Sequence, residues 1–473
     1  MPLAVRSRWL HTRGALRPHG PRDKRGRGYE GGDVRRGIIV GGVISTVVLA
    51  LVAAGCGGSS KSGGGGGGGG GATALPASSC QSLVYGGSGK PDFIVPSDLP
   101  LQGSGRTQTV EMTNAIQYVL KNANYKAGKY TVGYQSCDDS TAQAGKWVSG
   151  KCSSNGNAYA QNKNVIAVIG TFNSGCAEIV IPILNRAPNG PMGMVSPANT
   201  YVGLTHSGPG TVAGEPDKYY PSGKRNYIRM VAADDFQGAA DASFMKDQGA
   251  KSVFILNDKE AYGLGVATDT KNSATKLGLK VAGFTAWDPK ASSYEALATR
   301  IKQSGADWVY LGGLICENGA KLIADMKAGL PGVKLMAPDG FSDFTANGAS
   351  GVGMYITVAG VPPEKLTGTG ATFIKNFGAQ IGKKPNPYSA YAAQSMEVVL
   401  DAIAKSDGTR ASVTDNLLKT NVTDGILGTF KINANGDTTR NPVTVYQQVG
   451  SGKSGTGKTF KVEIPPASLV KAA

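Results

Sequence analysis

From residue 91 onward, short apolar runs rich in Val, Ile and Tyr alternate with longer stretches of helical periodicity. That alternation restricts the chain to stacked βαβ units, because strands that pair in parallel must be joined by a crossover, usually a helix. Strand-like runs fall at 92–95, 130–134, 165–170 and 192–196, and a second series at 251–257, 280–285, 307–312, 334–337 and 354–358. Helical stretches at 107–122, 176–186, 236–248, 263–277, 293–304 and 318–328 lie between them, and the two series break near 229–235. The last quarter adds helices at 388–404 and 412–418 and strands near 428–432, 443–449 and 460–464. The predicted fold class is α/β, with two doubly wound, Rossmann-like parallel-sheet domains. They enclose a cleft at the carboxyl ends of their strands, where open α/β sheets bind ligands.

The N-terminal region lacks this pattern. Residues 1–55 carry ten Lys/Arg against three acids, so seven of the sixteen net positive charges sit there and nine are spread over 56–473. That diffuse remainder, with no basic stripe interleaved with aromatics, argues against nucleic acid as a partner. Arg35-Arg36 precede the apolar run GIIVGGVISTVVLALVAAG and then Cys56. A basic start, an apolar middle and small residues before a cut are the parts of an export signal. VAAGC (52–56) resembles a bacterial lipobox, whose cysteine carries diacylglycerol after cleavage. Residues 1–55 are therefore expected to be leader and signal, with Val34 as the translational start. Cys56 is the expected lipid anchor to the extracytoplasmic face of the cell membrane. Nine consecutive glycines, Gly63 to Gly71, then mark 56–79 as a tether, since such a tract behaves as coil and packs no core.

Reactive groups are scarce. Of three histidines, His11 and His19 lie in the leader; His206, in a Gly/Pro-rich loop, reads as a solvated loop residue. A His-based zinc site or a Ser-His-Asp triad would rest on it alone. No GxSxG, HExxH or CxxC occurs in the body, so no catalytic residue, metal or cofactor is predicted. GKSGTGKT (452–459) has phosphate-loop spacing, but a strand-like run and Pro465-Pro466 follow where a helix is required, so it reads as a hairpin loop. Beyond Cys56, the body holds Cys80, Cys137, Cys152, Cys176 and Cys316. Cys137 and Cys152 enclose a short polar loop and are the predicted disulfide, with Cys176 as the rival partner of Cys137. Cys316, directly after a strand, is expected to be buried.

The informative positions are polar loops that follow strands. GTFNSG (170–175) places Asn173 and Ser174 at a helix N-terminus, where free amides and a hydroxyl suit a carboxylate, though a cap has the same composition. SPANT (196–200) adds the Ala198 backbone and the Thr200 hydroxyl. AYGLG (261–265) brings Tyr262 as a cover for an apolar side chain, and APDGF (337–341) brings Asp339 as a partner for an ammonium. Two such loops come from each half, which outlines a cleft.

Together with SDLPLQG (97–103), VIGTFNSG (168–175), YIRMVAADDFQG (227–238), NDKEAYGLG (257–265), DWVYLGG (307–313) and YAAQSMEVVLDAI (391–403), these loops resemble type I periplasmic binding proteins of the leucine/isoleucine/valine-binding kind. The resemblance spans about residues 91–450. It implies that Ser174 and Thr200 bind the carboxylate and ammonium of an amino acid, Ala198 offers backbone groups, Tyr262 covers the ligand, Asp339 takes the ammonium and Gln102 lies along the cleft edge. It also implies three hinge crossovers, near 229–235, 358–362 and 427–429. Domain one would then be 80–230 plus 360–427, and domain two 231–359 plus 428–473. Leu314 stands where close members have a ligand-covering tyrosine, and Asp339 where they usually have glutamate. The implied function is capture of an amino acid, branched-chain by family, and delivery to the permease and ATPase subunits of an ABC importer, with no enzymatic activity. Another small solute (an amide, urea or aromatic acid) and a membrane-tethered sensor are the alternatives.

Overall fold

Runs such as Ala167–Gly170 and Ser252–Asn257 are buried at every position, the mark of strands covered on both faces. The computed structural model of the protein describes residues 72–451 and 456–470. The leader, Val34, Cys56 and the glycine tract lie outside the described residues. Among the described residues, no helix is long and apolar enough to cross a membrane.

The first half runs β1 (Phe93–Leu99), α1 (Arg106–Asn122), β2 (Lys126–Ala127), β3 (Tyr130–Asp138), α2 (Ser149–Gln161), β4 (Ala167–Gly170), α3 (Ser174–Asn185), β5 (Gly193–Ser196) and β6 (Tyr227–Arg229). These strands form a six-stranded sheet in the order β2-β3-β1-β4-β5-β6, parallel except for β2. The second half runs α4 (Asp234–Asp247), β7 (Ser252–Asn257), α5 (Ala261–Lys276), β8 (Lys280–Ala286), α6 (Glu295–Ser304), β9 (Trp308–Gly312), α7 (Gly319–Gly329), β10 (Lys334–Ala337) and β11 (Tyr355–Val358). The chain then returns to the first core through α8 (Thr369–Ile381), α9 (Pro387–Ala404), α10 (Arg410–Leu418) and the hairpin β12 (Asn421–Gly425) and β13 (Gly428–Lys431). It ends with β14 (Val443–Gln448), β15 (Gly457–Glu463) and α11 (Ala467–Val470). The second sheet has the order β15-β14-β11-β10-β9-β7-β8, with β14 and β15 antiparallel at its edge. Gly457-Lys458-Thr459 open a strand and not a helix, so the hairpin reading of that stretch holds and the phosphate-loop reading does not.

The structure departs from expectation in several places. Ala72 and Leu75 are already buried, and the Leu75 N–H donates to Gln135 Oε1 at 2.7 Å, so the packed body begins inside the segment assigned to the tether. The third passage into the second sheet comes later than 427–429. The Leu427 N–H donates to Gln394 of α9, Phe430 lies in the first core, and the Arg229 N–H donates to the Gly436 carbonyl. The chain joins the second sheet only at Val443. Helix α2 was not predicted, because SGKCSSNGNAYAQ combines weak helix formers with little apolar periodicity. Tertiary contacts hold it. Tyr159 is fully buried, and Arg410 of α10 donates to the carbonyls of Ala160, Asn162 and Val165 around its C-terminus.

The predicted Cys137–Cys152 disulfide is not formed, nor is the Cys137–Cys176 alternative. Cys137 bonds Cys80 and Cys152 bonds Cys176. Cys80 lies in an antiparallel bridge directly opposite Cys137, while Cys152 on α2 faces Cys176 on the packed helix α3. Strand pairing and helix packing decided the partners, neither of which loop length reveals. The loops closed span 57 and 24 residues, so each bond stabilises the fold by roughly 3–4.5 kcal/mol in the chain-entropy view. Cys80→Ser with Cys137→Ser, and Cys152→Ser with Cys176→Ser, should each lower the unfolding free energy by about that much in a urea titration. An unchanged midpoint would refute the structural role. Cys316 is free and only partly buried, contrary to expectation, because it borders the cleft.

Candidate functional site

In each sheet the strand order reverses at one point, between β1 and β4 in the first and between β7 and β9 in the second. Loops leaving adjacent strands there diverge to opposite faces, which opens a crevice at the carboxyl edge. The two crevices face each other. Asn173, Ser174, Ala198, Thr200, Tyr262 and Asp339 line a single cavity between the sheets, with Phe172 and Leu314 as its apolar walls. Gln102 is not among them. It borders an adjoining outer cavity that shares the walls Phe172, Asn173, Leu314 and Asp339, and its amide donates to Asp138 Oδ2 at 2.7 Å.

The first-sheet loops are tied to each other. Ser196 Oγ donates to the Thr171 carbonyl and accepts from the Ala198 and Asn199 N–H groups, and the Asn199 amide donates to the Phe172 carbonyl. Neither Asn173 nor Ser174 caps α3 through its side chain, so the capping alternative is not realised. Ser174 Oγ instead accepts from the Tyr201 N–H at 3.3 Å, beside first-turn amides that have no intrahelical partner. The Thr200 loop is held from below by Arg229, fully buried, which donates to the carbonyls of Asn199 and Tyr201.

Asp339 is the electrostatic centre. Tyr262 donates to its Oδ1 at 2.5 Å and Tyr388, from the first turn of α9, to its Oδ2 at 2.8 Å. Burial pushes its carboxyl up, and the two tyrosine hydroxyls only partly counter this. Tyr262 is thus a positioning partner of Asp339 as well as a cavity wall. A second carboxylate, Asp234, is fully buried at the start of α4, and neither of its oxygens makes a hydrogen bond of ordinary geometry. Burial and the charge of Asp339 push it well up, while the neighbouring Thr200 hydroxyl favours its ionised form. Two carboxylates crowded beside Thr200 make a site that is unfavourable when empty and favourable to a cation.

The family model for periplasmic binding proteins matches residues 99–454. The chain belongs to that family. The family's members are solute-binding proteins, and the fold agrees. A leucine binding protein from Thermotoga maritima superposes with a TM-score of 0.67 at 21% identity, covering 80% of this chain and 99% of that one. A solute binding protein from R. palustris in complex with benzoate gives 0.62 at 18% identity, over 79% and 96% of the two chains. In sequence, a Leu/Ile/Val-binding protein homologue from Brucella abortus is 25% identical over 376 residues, 78% of this chain and 93% of the relative.

Sequence reasoning missed Tyr388 and Asp234 in this binding protein. Tyr388 follows Pro387 at a helix start, and nothing local shows that it reaches Asp339, 49 residues away. Asp234 lies in a stretch that read only as a crossover. His206 was also misjudged. It is only partly exposed and bridges Asp235 at 3.2 Å and Asp437 at 3.1 Å, beside the Arg229–Asp437 ion pair.

Proposed function

We propose that the protein captures an α-amino acid between its two sheets by hinge closure and delivers it to an ABC importer, from a lipid anchor at Cys56. The observation that carries this reading is the composition of the inner cavity: the Ser174 and Thr200 hydroxyls and helix-terminal amides together with Asp339, and the buried Asp234 directly behind Thr200. Ser174, Thr200 and the first-turn amides of α3 would hold the carboxylate. Asp339, Asp234 and the Ala198 carbonyl would hold the ammonium. An aromatic acid of the benzoate kind lacks the ammonium and would leave two buried carboxylates unopposed, which favours an amino acid over that alternative. Phe172, Leu314 and the Tyr262 ring supply apolar contact for a branched side chain, at about 0.8 kcal/mol per CH₂ buried.

Tyr388 on the first core reaches Asp339 on the second, and Ser342 Oγ meets Gln108 Oε1 across the same gap, so these contacts would break on opening. The proposed hinges are the passages at 230–233, 359–368 and 439–442. Calorimetry of the full chain against the twenty amino acids should show at least one binding at micromolar concentration or below, with leucine, isoleucine and valine tested first. Binding of benzoate but of no amino acid would defeat the reading. The anchor has its own test. The mature protein should begin at Cys56 and carry a diacylglyceryl adduct by mass spectrometry, and a mature N-terminus elsewhere would overturn it.

A further inference from the structure

Beyond the inner cavity, the outer one is bordered by Gln102, Ser104, Gln108, Lys146, Trp147 and Ser342, with Asp343 at its rim. Two polar atoms of this lining are buried without a hydrogen-bond partner: Trp147 Nε1 and Ser104 Oγ. Buried polar atoms are rarely left so, and an orphan on a cavity wall is one that an incoming group can satisfy. The wall is also rigidly built. The Trp147 ring lies so close over Gly175 that a Cβ there would come within 2.6 Å of it. Gly103, at φ +81°, packs directly on the Gly145 carbonyl, which fixes the Ser104 loop against the Trp147 loop. The orientation of the indole N–H is therefore set before a ligand arrives.

An indole N–H can only donate, so it calls for an acceptor. Charge selects the kind. The one cation on this wall among the described residues, Lys146, is already paired with Glu317 and with Glu260 at 3.5 Å. Asp339 and Asp343 border the same space. A distal carboxylate would meet net negative charge, and a distal ammonium would leave the Trp147 N–H unsatisfied. A neutral carbonyl with N–H groups of its own satisfies both needs, since Ser342 and Asp343, which line the same cavity, offer acceptor oxygens.

We propose that this outer cavity is a second subsite, which receives the uncharged amide or ureido end of an extended α-amino acid whose head group sits in the inner cavity. The proposal rests on the α-amino acid reading above and refines its side-chain class. The test is calorimetry of the full chain with L-glutamine, L-citrulline, L-glutamate, L-leucine and L-norleucine. Glutamine or citrulline should bind at least tenfold tighter than norleucine, which has similar length but no acceptor, and tighter than glutamate. Trp147→Phe keeps the ring and loses the N–H, and Ser104→Ala loses the hydroxyl. Each should cut the amide-over-leucine preference five- to tenfold, with thermal unfolding confirming that both variants fold. If leucine or norleucine binds as tightly as the amides, or if neither variant shifts the preference, the subsite is refuted while the amino-acid reading stands. If no α-amino acid binds at all, the underlying reading fails and this one with it.

Discussion

Asp339→Asn is expected to weaken α-amino acid binding by about 30-fold or more while leaving the empty protein as stable as before, or more stable. Removing one member of a desolvated, hydrogen-bonded charge pair costs roughly 2–5 kcal/mol of affinity, and each 1.4 kcal/mol is a factor of ten. In the empty cleft the same carboxylate is a liability, because burial pushes its pKa up and no cation lies in the cavity beside it. An asparagine keeps an oxygen to accept from Tyr262 or Tyr388 and carries no charge to desolvate. Binding and stability should therefore move apart, which calorimetry and thermal unfolding report separately. A pH series sharpens the test. The ammonium pairs with ionised Asp339, so wild-type affinity should fall as the solution is acidified toward the range where the raised carboxyl takes up a proton. In Asp339→Asn the part of that slope due to Asp339 should be gone. A variant that binds leucine as the wild type does would remove Asp339 from the site.

That these residues line one cavity was legible because each lies in the loop or first helical turn after a strand, and the alternation of strands and helices already says which ends of those strands meet. Asn173 and Ser174 after β4, Thr200 after β5, Tyr262 after β7 and Asp339 after β10 needed only that local rule. What escaped depends on contacts made over long stretches of chain. Tyr388 acts through a partner in the other half of the molecule, and Trp147 through the cavity wall it completes. The disulfides illustrate the same limit, since loop length favoured Cys137–Cys152 while strand and helix pairing imposed Cys80–Cys137 and Cys152–Cys176. Helix α2 shows it for secondary structure, where packing overrode a poor local propensity. The domain passages were legible in number from the resemblance. The third lies later because Gly436 and Asp437 are bound to Arg229 at the edge of the first sheet.

Arg229→Met should be the most destabilising single replacement in the frame of the site, at about 3–5 kcal/mol, because it removes the main counter-charge of a buried carboxylate. Arg229 is fully buried and its Nε lies 2.8 Å from Asp437 Oδ1. Burial alone would raise Asp437; Arg229 and His206 hold its carboxyl down at about 2. The double variant Arg229→Met with Asp437→Asn removes both charges together and should recover more than half of the loss, as urea titrations of the four proteins in a double-mutant cycle would show. Strictly additive losses would mean that the pair is not coupled. Because the guanidinium also holds the Asn199 and Tyr201 carbonyls on either side of Thr200, Arg229→Met should weaken ligand binding as well, although it does not line the inner cavity. The same cluster shapes part of the pH profile of stability, alongside buried carboxylates such as Asp258 and Asp269, which burial raises to about 8. Burial pulls His206 down, but Asp235 and Asp437 raise it to about 9. A raised histidine stabilises the fold fully below its unfolded value of about 6.5 and loses that contribution as pH climbs through about 9. The lowered Asp437 acts at the other end, its contribution present above about 4 and lost as pH falls toward 2. His206→Asn should therefore flatten the decline in stability between about pH 6.5 and 9 and shrink the acid limb without abolishing it, since Arg229 still holds Asp437 down; an undiminished alkaline decline in that variant would assign it to another group.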